Sequence, residues 1–337
     1  DRSHNRSAKY DEAGKKFGSQ DVIPLWIADM DFKTAQPVID ALKARAEEGI
    51  WGYTSRPDSY YEAVCGWQKR RNGWDIDKSM ISFNLGVVPA LSSMVYVFTE
   101  PGDKVLIQTP VYSEFYDVTE SWGREVVESP LKEQDGRWAI DFEDFEEKAK
   151  EAKIFFLCSP HNPLGIVWTR EELERMCHIC IANNVLIVSD EIHSDLMLYG
   201  HKHIPMGMLG DEKMQKNIIT CYAPSKTFNC AGLRASAVVV PDEKLRDMLN
   251  KRFKMNRSIQ QNITAIPALV AAYGECEDYL EQLLPYLEKN VDFLRDYLKE
   301  KMPKIHLVEP EATYLMWLDC SGLGISGDEL ADFIIQD

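Results

Sequence analysis

The chain has 337 residues, 27% of them charged and 45% hydrophobic, with a formal net charge of −16 at pH 7. That length supports a large core split into two domains, and the acidic balance argues against nucleic acid as a partner, because phosphate binding needs a basic face. No apolar stretch reaches the roughly 20 residues of a membrane-spanning helix, and the polar start, DRSHNRSAKYDEAGKK, is unlike a secretory leader.

From about residue 75 to 240, short apolar strands alternate with helical periods. The predicted strands are KVLIQ (104–108), KIFFLC (153–158), NVLIVS (184–189), NIITCY (217–222) and ASAVVV (235–240). VVPALSSMVYVF (87–98) and REELERMCHICIAN (170–183) are helical patterns between them. Near-continuous apolar strands separated by helices predict an α/β fold: a large domain whose mostly parallel sheet is flanked by helices. Ligands of such sheets bind beyond the carboxyl ends of the strands.

The C-x-x-C at 177–180 falls where Leu173, Met176, Cys177, Cys180 and Ile181 share one helical face. It therefore reads as core packing, and no metal site is predicted. The other cysteines, at 65, 158, 221, 230, 276 and 320, are scattered, several of them inside apolar runs. Together the eight suggest reduced thiols in a cytoplasmic protein.

After residue 240 come longer helices, EKLRDMLNKRF, ITAIPALVAAYGE and YLEQLLPYLEKNVDFLRDYLKEKM, and then a strand-like ATYLMWLDC (312–320). This predicts a smaller α+β domain that the N-terminal segment joins. The division is 37–280 for the large domain, with 1–36 and 281–337 for the small one. A last helix, DELADFIIQD, has neither a glycine cap nor a following strand, which points to a small domain incomplete at its C-terminus.

Chemistry gathers at the predicted strand ends. Asp190, in SDEIH (189–193), closes one apolar run, and Lys226, in CYAPSKTFNCAGLR (221–234), closes a later one. An amine and a buried carboxylate suit the two ends of pyridoxal 5′-phosphate. The amine forms a Schiff base with the aldehyde, and the carboxylate keeps the pyridine nitrogen protonated. Alone, Asp190 could instead be a helix N-cap. The backbone N–H groups of Gly86, Val87 and Val88 open a helix and can hold a phosphate, although many helices start after a glycine. Tyr112, in TPVYSEFY (109–116), can stack on an aromatic cofactor or simply pack. In SPHNPLG (159–165), Pro160, Pro163 and Gly165 fix a turn that presents the Asn162 amide, suited to the cofactor's phenolic oxygen. Ser225 and Arg234 can add a hydroxyl and a bidentate guanidinium to the phosphate. Packing explains any one of these groups more easily than all of them together.

The set resembles the fold-type I pyridoxal-phosphate enzymes, the aspartate aminotransferase superfamily, from Pro24 to about Arg234 and more weakly beyond. Within it, PLWIADMDF (24–32), WGYTSRPDSYYEAV (51–64), SPHNPLG, SDEIHSDL (189–196) and APSKTFNCAGL (223–233) are similar to motifs of the MalY/PatB-type cystathionine β-lyases. General aminotransferases usually carry a tyrosine where this chain has His193. Ala223 and Cys230 also depart from the commonest lysine-site pattern.

The resemblance implies a catalytic set of Lys226, Asp190 and Tyr112. Lys226 would carry the cofactor and later shuttle the Cα proton, Asp190 would pair with the ring nitrogen, and Tyr112 would stack on the ring. Asn162 would contact the ring oxygen, with His193 beside the cofactor and Gly86, Val87, Val88, Ser225 and Arg234 around the phosphate. Tyr53 would reach the phosphate of a neighbouring subunit's cofactor, which implies a homodimer with shared active sites.

The implied reaction is α,β-elimination of L-cystathionine, or a related sulfur-containing amino acid, to thiol, pyruvate and ammonia. A class I/II aminotransferase is the second reading, and a regulatory protein-binding role the third. The family's substrate-carboxylate arginine lies beyond residue 337, and Arg295, the last arginine here, does not match it. Trp26, Tyr112 and Tyr116 are candidates for lining the substrate pocket.

Overall fold

The computed structural model describes residues 2, 4–134 and 136–336. Its main sheet has seven strands: β1 (Ile81–Asn84), β2 (Lys104–Ile107), β3 (Glu125–Glu128), β6 (Ala152–Cys158), β7 (Leu186–Asp190), β8 (Ile218–Tyr222) and β9 (Ser236–Val239). A separate hairpin joins β4 (Lys132–Gln134) to β5 (Arg137–Ala139). The order across the sheet is β1-β9-β8-β7-β6-β2-β3, and only the two pairings that involve β9 are antiparallel. The carboxyl ends of the six parallel strands therefore share one edge, and β9 brings the chain back from it.

Side-chain alternation explains the layers. Val105, Ile107, Ile154, Phe156 and Val188 join a core with the helices Val87–Phe98, Glu114–Glu120 and Glu243–Met255. Leu106, Phe155, Leu157 and Ile187 face the opposite way, into a core with Phe142–Ala149 and Arg170–Ala182. Each such fully buried side chain contributes about 1.5–3 kcal/mol. Helix Arg170–Ala182 starts on a capping box, with Thr169 Oγ1 accepting Glu172 N–H and Glu172 Oε2 accepting Thr169 N–H. Cys177 and Cys180 are buried on its inner face with Leu173 and Met176, so the packing reading of the C-x-x-C holds.

The five predicted strands are β2, β6, β7, β8 and β9. Two edge strands escaped prediction. β3 is bounded by exposed glutamates, and β1 alternates apolar residues with Ser82 and Asn84, so neither reads as an apolar run. Conversely, ATYLMWLDC is not a nine-residue strand. Only Leu318–Asp319 (β11) pairs, with His306–Leu307 (β10), while Ala312 makes a single bridge to Met197. Between them Thr313 adopts φ +72. The backbone N–H groups of Ala312 and Thr313 go instead to Gly165 O and Leu196 O, at 2.9 and 2.7 Å.

The helix Glu277–Lys301 buries Leu280, Leu283, Leu287 and Val291, spaced three or four residues apart. They join one core with residues from helices Gln36–Glu47, Asp58–Asn72 and Ala265–Glu275. Among the described residues, no helix is long and apolar enough to cross a membrane.

Candidate active site

A cleft of about 490 Å³ opens at the carboxyl ends of the parallel strands. The loops that follow β1, β2, β6, β7 and β8 line it with Gly86, Val87, Val88, Tyr112, Asn162, Asp190, His193, Ser225, Lys226 and Arg234. The structure thus brings together ten of the eleven residues singled out in the sequence. The eleventh, Tyr53, lies outside the cleft and is fully exposed. Of the pocket candidates only Tyr112 lines it. The Trp26 indole donates to Lys9 O at 2.9 Å, and the Tyr116 hydroxyl donates to Glu128 at 2.9 Å, so both are engaged elsewhere.

Asp190 is the last residue of β7, paired between Cys158 of β6 and Cys221 of β8. It is buried, and its Oδ1 accepts the Ile192 N–H at 3.1 Å. Burial pushes its carboxyl up to about 7, against the opposing effects of that hydrogen bond and of Lys226. The neighbouring Glu191 is fully occupied elsewhere. Its two oxygens take Ser189 Oγ, the Met206 N–H, His203 Nε2 and the Tyr222 hydroxyl. Of the two adjacent acids, only Asp190 faces the cleft with unsatisfied charge.

Lys226 sits in a loop held by Phe228 N–H to Pro224 O and Cys230 N–H to Ser225 O, at 2.9 and 3.0 Å. The adjacent Thr227 donates to buried Asp195 at 2.7 Å, and the Trp67 indole occupies the other Asp195 oxygen at 2.9 Å. Lys226 Nζ itself donates to Ala28 O at 2.8 Å. Burial lowers its pKa, while Asp190 and Asp29 act to raise it. His193 is pushed down to about 3, first by burial and then by Lys226, and its Nδ1 has no hydrogen-bond partner. It is therefore a neutral imidazole. Burial raises the Tyr112 phenol well above its ordinary value.

At the other end, Gly86 caps the helix Val87–Phe98 with φ +138, a conformation that side chains rarely allow. This helix start, the Ser225 hydroxyl and the Arg234 guanidinium offer backbone, neutral and cationic donors for an anion. Arg234 follows the short helix Ala231–Leu233 at φ +56. An amine, an underpaired carboxylate and an anion cradle around one cleft fit pyridoxal phosphate. The ring would lie by Tyr112, with its nitrogen towards Asp190.

Sequence reasoning missed the wall contributed by Ala8, Ile27 and Ala28 from the N-terminal segment, and by Cys158 from the end of β6. PLWIADMDF was noted as a motif, but Ala28 acts through its carbonyl, which has no residue-type signature. The N-terminal wall is held down by Asn229, which accepts the Met30 N–H at 3.0 Å and donates to Met30 O and Phe32 O.

A sequence model of the family described as aminotransferase class I and II matches residues 20–337. Cystathionine beta-lyase PatB of Bacillus subtilis (strain 168) is 45% identical over 338 residues, covering 100% of this chain and 87% of that protein. A pyridoxal-phosphate-bound structure from Clostridium difficile 630, provisionally called an aminotransferase, has a TM-score of 0.97 at 47% identity, covering 100% of this chain and 87% of that one. Cystalysin from Treponema denticola, solved with pyridoxal 5′-phosphate, has a TM-score of 0.96 at 34% identity and covers 100% and 86%.

Proposed function

This chain belongs to the class I and II aminotransferase family, and from that membership we propose that it is a pyridoxal-phosphate-dependent carbon–sulfur lyase. It cleaves L-cystathionine or a related cysteine S-conjugate to a thiol, pyruvate and ammonia. The observation that carries the reading is the convergence of Lys226 and Asp190 on one cleft, in a chain 45% identical to a cystathionine beta-lyase.

When bound, pyridoxal phosphate supplies an electrophilic carbon for the amine and a sink for the charge that develops at the substrate Cα. The Lys226 amine would hold that carbon, and when free it would take the proton from Cα. Its lowered proton affinity keeps more of it in the neutral, basic form. Asp190 would hold a proton on the ring nitrogen by offering the anion that a pyridinium requires. Tyr112 would pack against the ring, Asn162 would offer its amide to the ring oxygen, and neutral His193 would stand beside them. Gly86, Val87, Val88, Ser225 and Arg234 would hold the phosphate, so that the Cα–H bond of a bound substrate would be presented in one orientation. Purified protein supplied with cofactor and cystathionine should release pyruvate and a free thiol in equal amounts. No release of either product sinks the assignment.

The runner-up is an aminotransferase acting in the same cleft, favoured by the provisional description of the 47% identical structure. The two readings share proton removal by Lys226 and differ in where the proton returns. Conversion of the cofactor to its amine form by an amino acid, in the absence of oxo acid and without pyruvate, identifies transamination.

The proposal extends to organisation. Residues 37–280 form the cofactor-binding domain, and 1–36 with 281–337 the smaller one. Two copies associate, with Tyr53 of each reaching the other's phosphate. Exposed Ile23, Leu25, Ile50, Trp51 and Tyr53 support an apolar face for that association. Free and mostly buried cysteines support a cytoplasmic setting. Light scattering at working concentration tests the dimer, and a monomeric mass for active protein overturns it.

A further inference from the structure

The Lys226 amine shares its acceptor. Its Nζ donates to Ala28 O at 2.8 Å, and the Tyr314 hydroxyl donates to the same oxygen at 3.0 Å. Both donors and the acceptor are fixed independently. Asn229 clamps the Ala28 segment through Met30 and Phe32. Tyr314 stands edge-on to His193, with ring centroids 5.8 Å apart. Its backbone is set by Thr313 N–H to Leu196 O at 2.7 Å and by Leu315 N–H to Thr313 Oγ1 at 3.1 Å.

We propose that Tyr314 is a positioning residue for Lys226, acting through the shared Ala28 carbonyl so that the amine can leave and regain its resting place. This rests on the reading of Lys226 as the cofactor-bearing amine. A carbonyl oxygen has two lone pairs and accepts both donors. When the amine moves to the cofactor or to the substrate Cα, the phenol stays behind, and the part-buried oxygen keeps a hydrogen-bond partner. While the amine is at rest, the phenol already draws on the oxygen's electron density, so the carbonyl holds the ammonium less firmly. Removing the hydroxyl leaves the amine as the only side-chain donor, more firmly held and more readily protonated.

The charged and titratable groups facing the amine are Asp190 at the end of β7, Asp29 beside the acceptor and neutral His193. Tyr112 and Asp29 face the phenol. None of these changes in Tyr314→Phe, so a shift in the amine's behaviour reports the shared carbonyl.

The test uses the full-length chain stripped of cofactor. Reductive methylation of Lys226 is followed against pH by peptide mass spectrometry, and the visible band is timed after pyridoxal phosphate is added. Tyr314→Phe is expected to move half-modification to higher pH. It should also slow band formation about threefold to tenfold, the equilibrium worth of one hydrogen bond. The control is Tyr279→Phe, which removes a phenol donating to another carbonyl of the same segment, Lys33 O, at 3.2 Å. It should leave both readouts unchanged. Equal rates and pH midpoints for Tyr314→Phe and the unsubstituted chain overturn the inference, as do equal shifts in the two variants. Failure of the unsubstituted chain to develop any band overturns the cofactor reading itself, and this inference with it.

Discussion

Replacing Asp190 with asparagine should change how stability depends on pH in the cofactor-free chain. The carboxyl rises from 3.8 to about 7, chiefly because it is buried, with the Ile192 N–H at 3.1 Å as its hydrogen bond. Each tenfold change in proton affinity is worth about 1.4 kcal/mol, so ionising Asp190 inside the fold costs up to about 4 kcal/mol relative to the unfolded chain. Because the folded pKa lies above the unfolded one, the protonated carboxyl contributes stability that is fully present below 3.8 and lost as pH rises through about 7. The asparagine variant has no such loss and keeps an acceptor oxygen for Ile192. Urea unfolding of both chains at a series of pH values checks this, since their difference cancels the other titrating groups. That difference should grow in favour of the variant between about pH 4 and about pH 7 and then level off. A difference that is flat over this window refutes the reasoning. With pyridoxal phosphate present the order should reverse, because only the carboxylate gains a cationic partner.

Lys226→Ala should abolish borohydride fixation of the cofactor and lower pyruvate release about a thousandfold or more; activity within tenfold of the unsubstituted enzyme removes the lysine from the mechanism. His193, pushed down to about 3, stays neutral across the assay range. The kcat profile of His193→Gln should therefore keep its shape between about pH 5.5 and pH 8, and loss of an ionisation from that profile contradicts a neutral imidazole. Gly165 has φ +69, and a Cβ there would stand 2.8 Å from Ala312 O. Gly165→Ala should cost about 1–3 kcal/mol in chemical denaturation, and a cost below about 0.5 kcal/mol shows that the close approach is readily relieved.

The sequence was most legible where burial and chemistry coincide. β6, β7 and β8 are continuous apolar runs because the sheet is covered on both faces, and Asp190 and Lys226 stand out as ionisable residues where those runs end. Ten site residues met in one cleft because each ends or follows a strand whose carboxyl end lies at the same edge of the sheet. What stayed hidden lacked such contrast. β3 is a half-exposed edge strand, and Ala28 contributes a backbone atom. Tyr314 lies in a stretch that reads as strand-like, although its neighbours' backbone groups bond to loops around Gly165 and Leu196. The Asp190–Glu191 pair illustrates the same limit. Adjacent in sequence and both acidic, they separate only because Ser189, His203, Met206 and Tyr222 are positioned to take up one of them.

The Ala28 wall also has a consequence for biosynthesis. Its carbonyl is translated well before its clamp, Asn229, and one of its two donors, Tyr314, which follow about 200 and 290 residues later. The pocket cannot be complete while those residues are still inside the ribosome. Vitamin B6 loading is therefore a late step in the life of each newly made molecule. Until then the apolar Ile23 and Leu25, still exposed in the folded structure, travel on a strip of polypeptide tied only to itself, through Arg2 to Asp29 and Lys9 to Asp29 O.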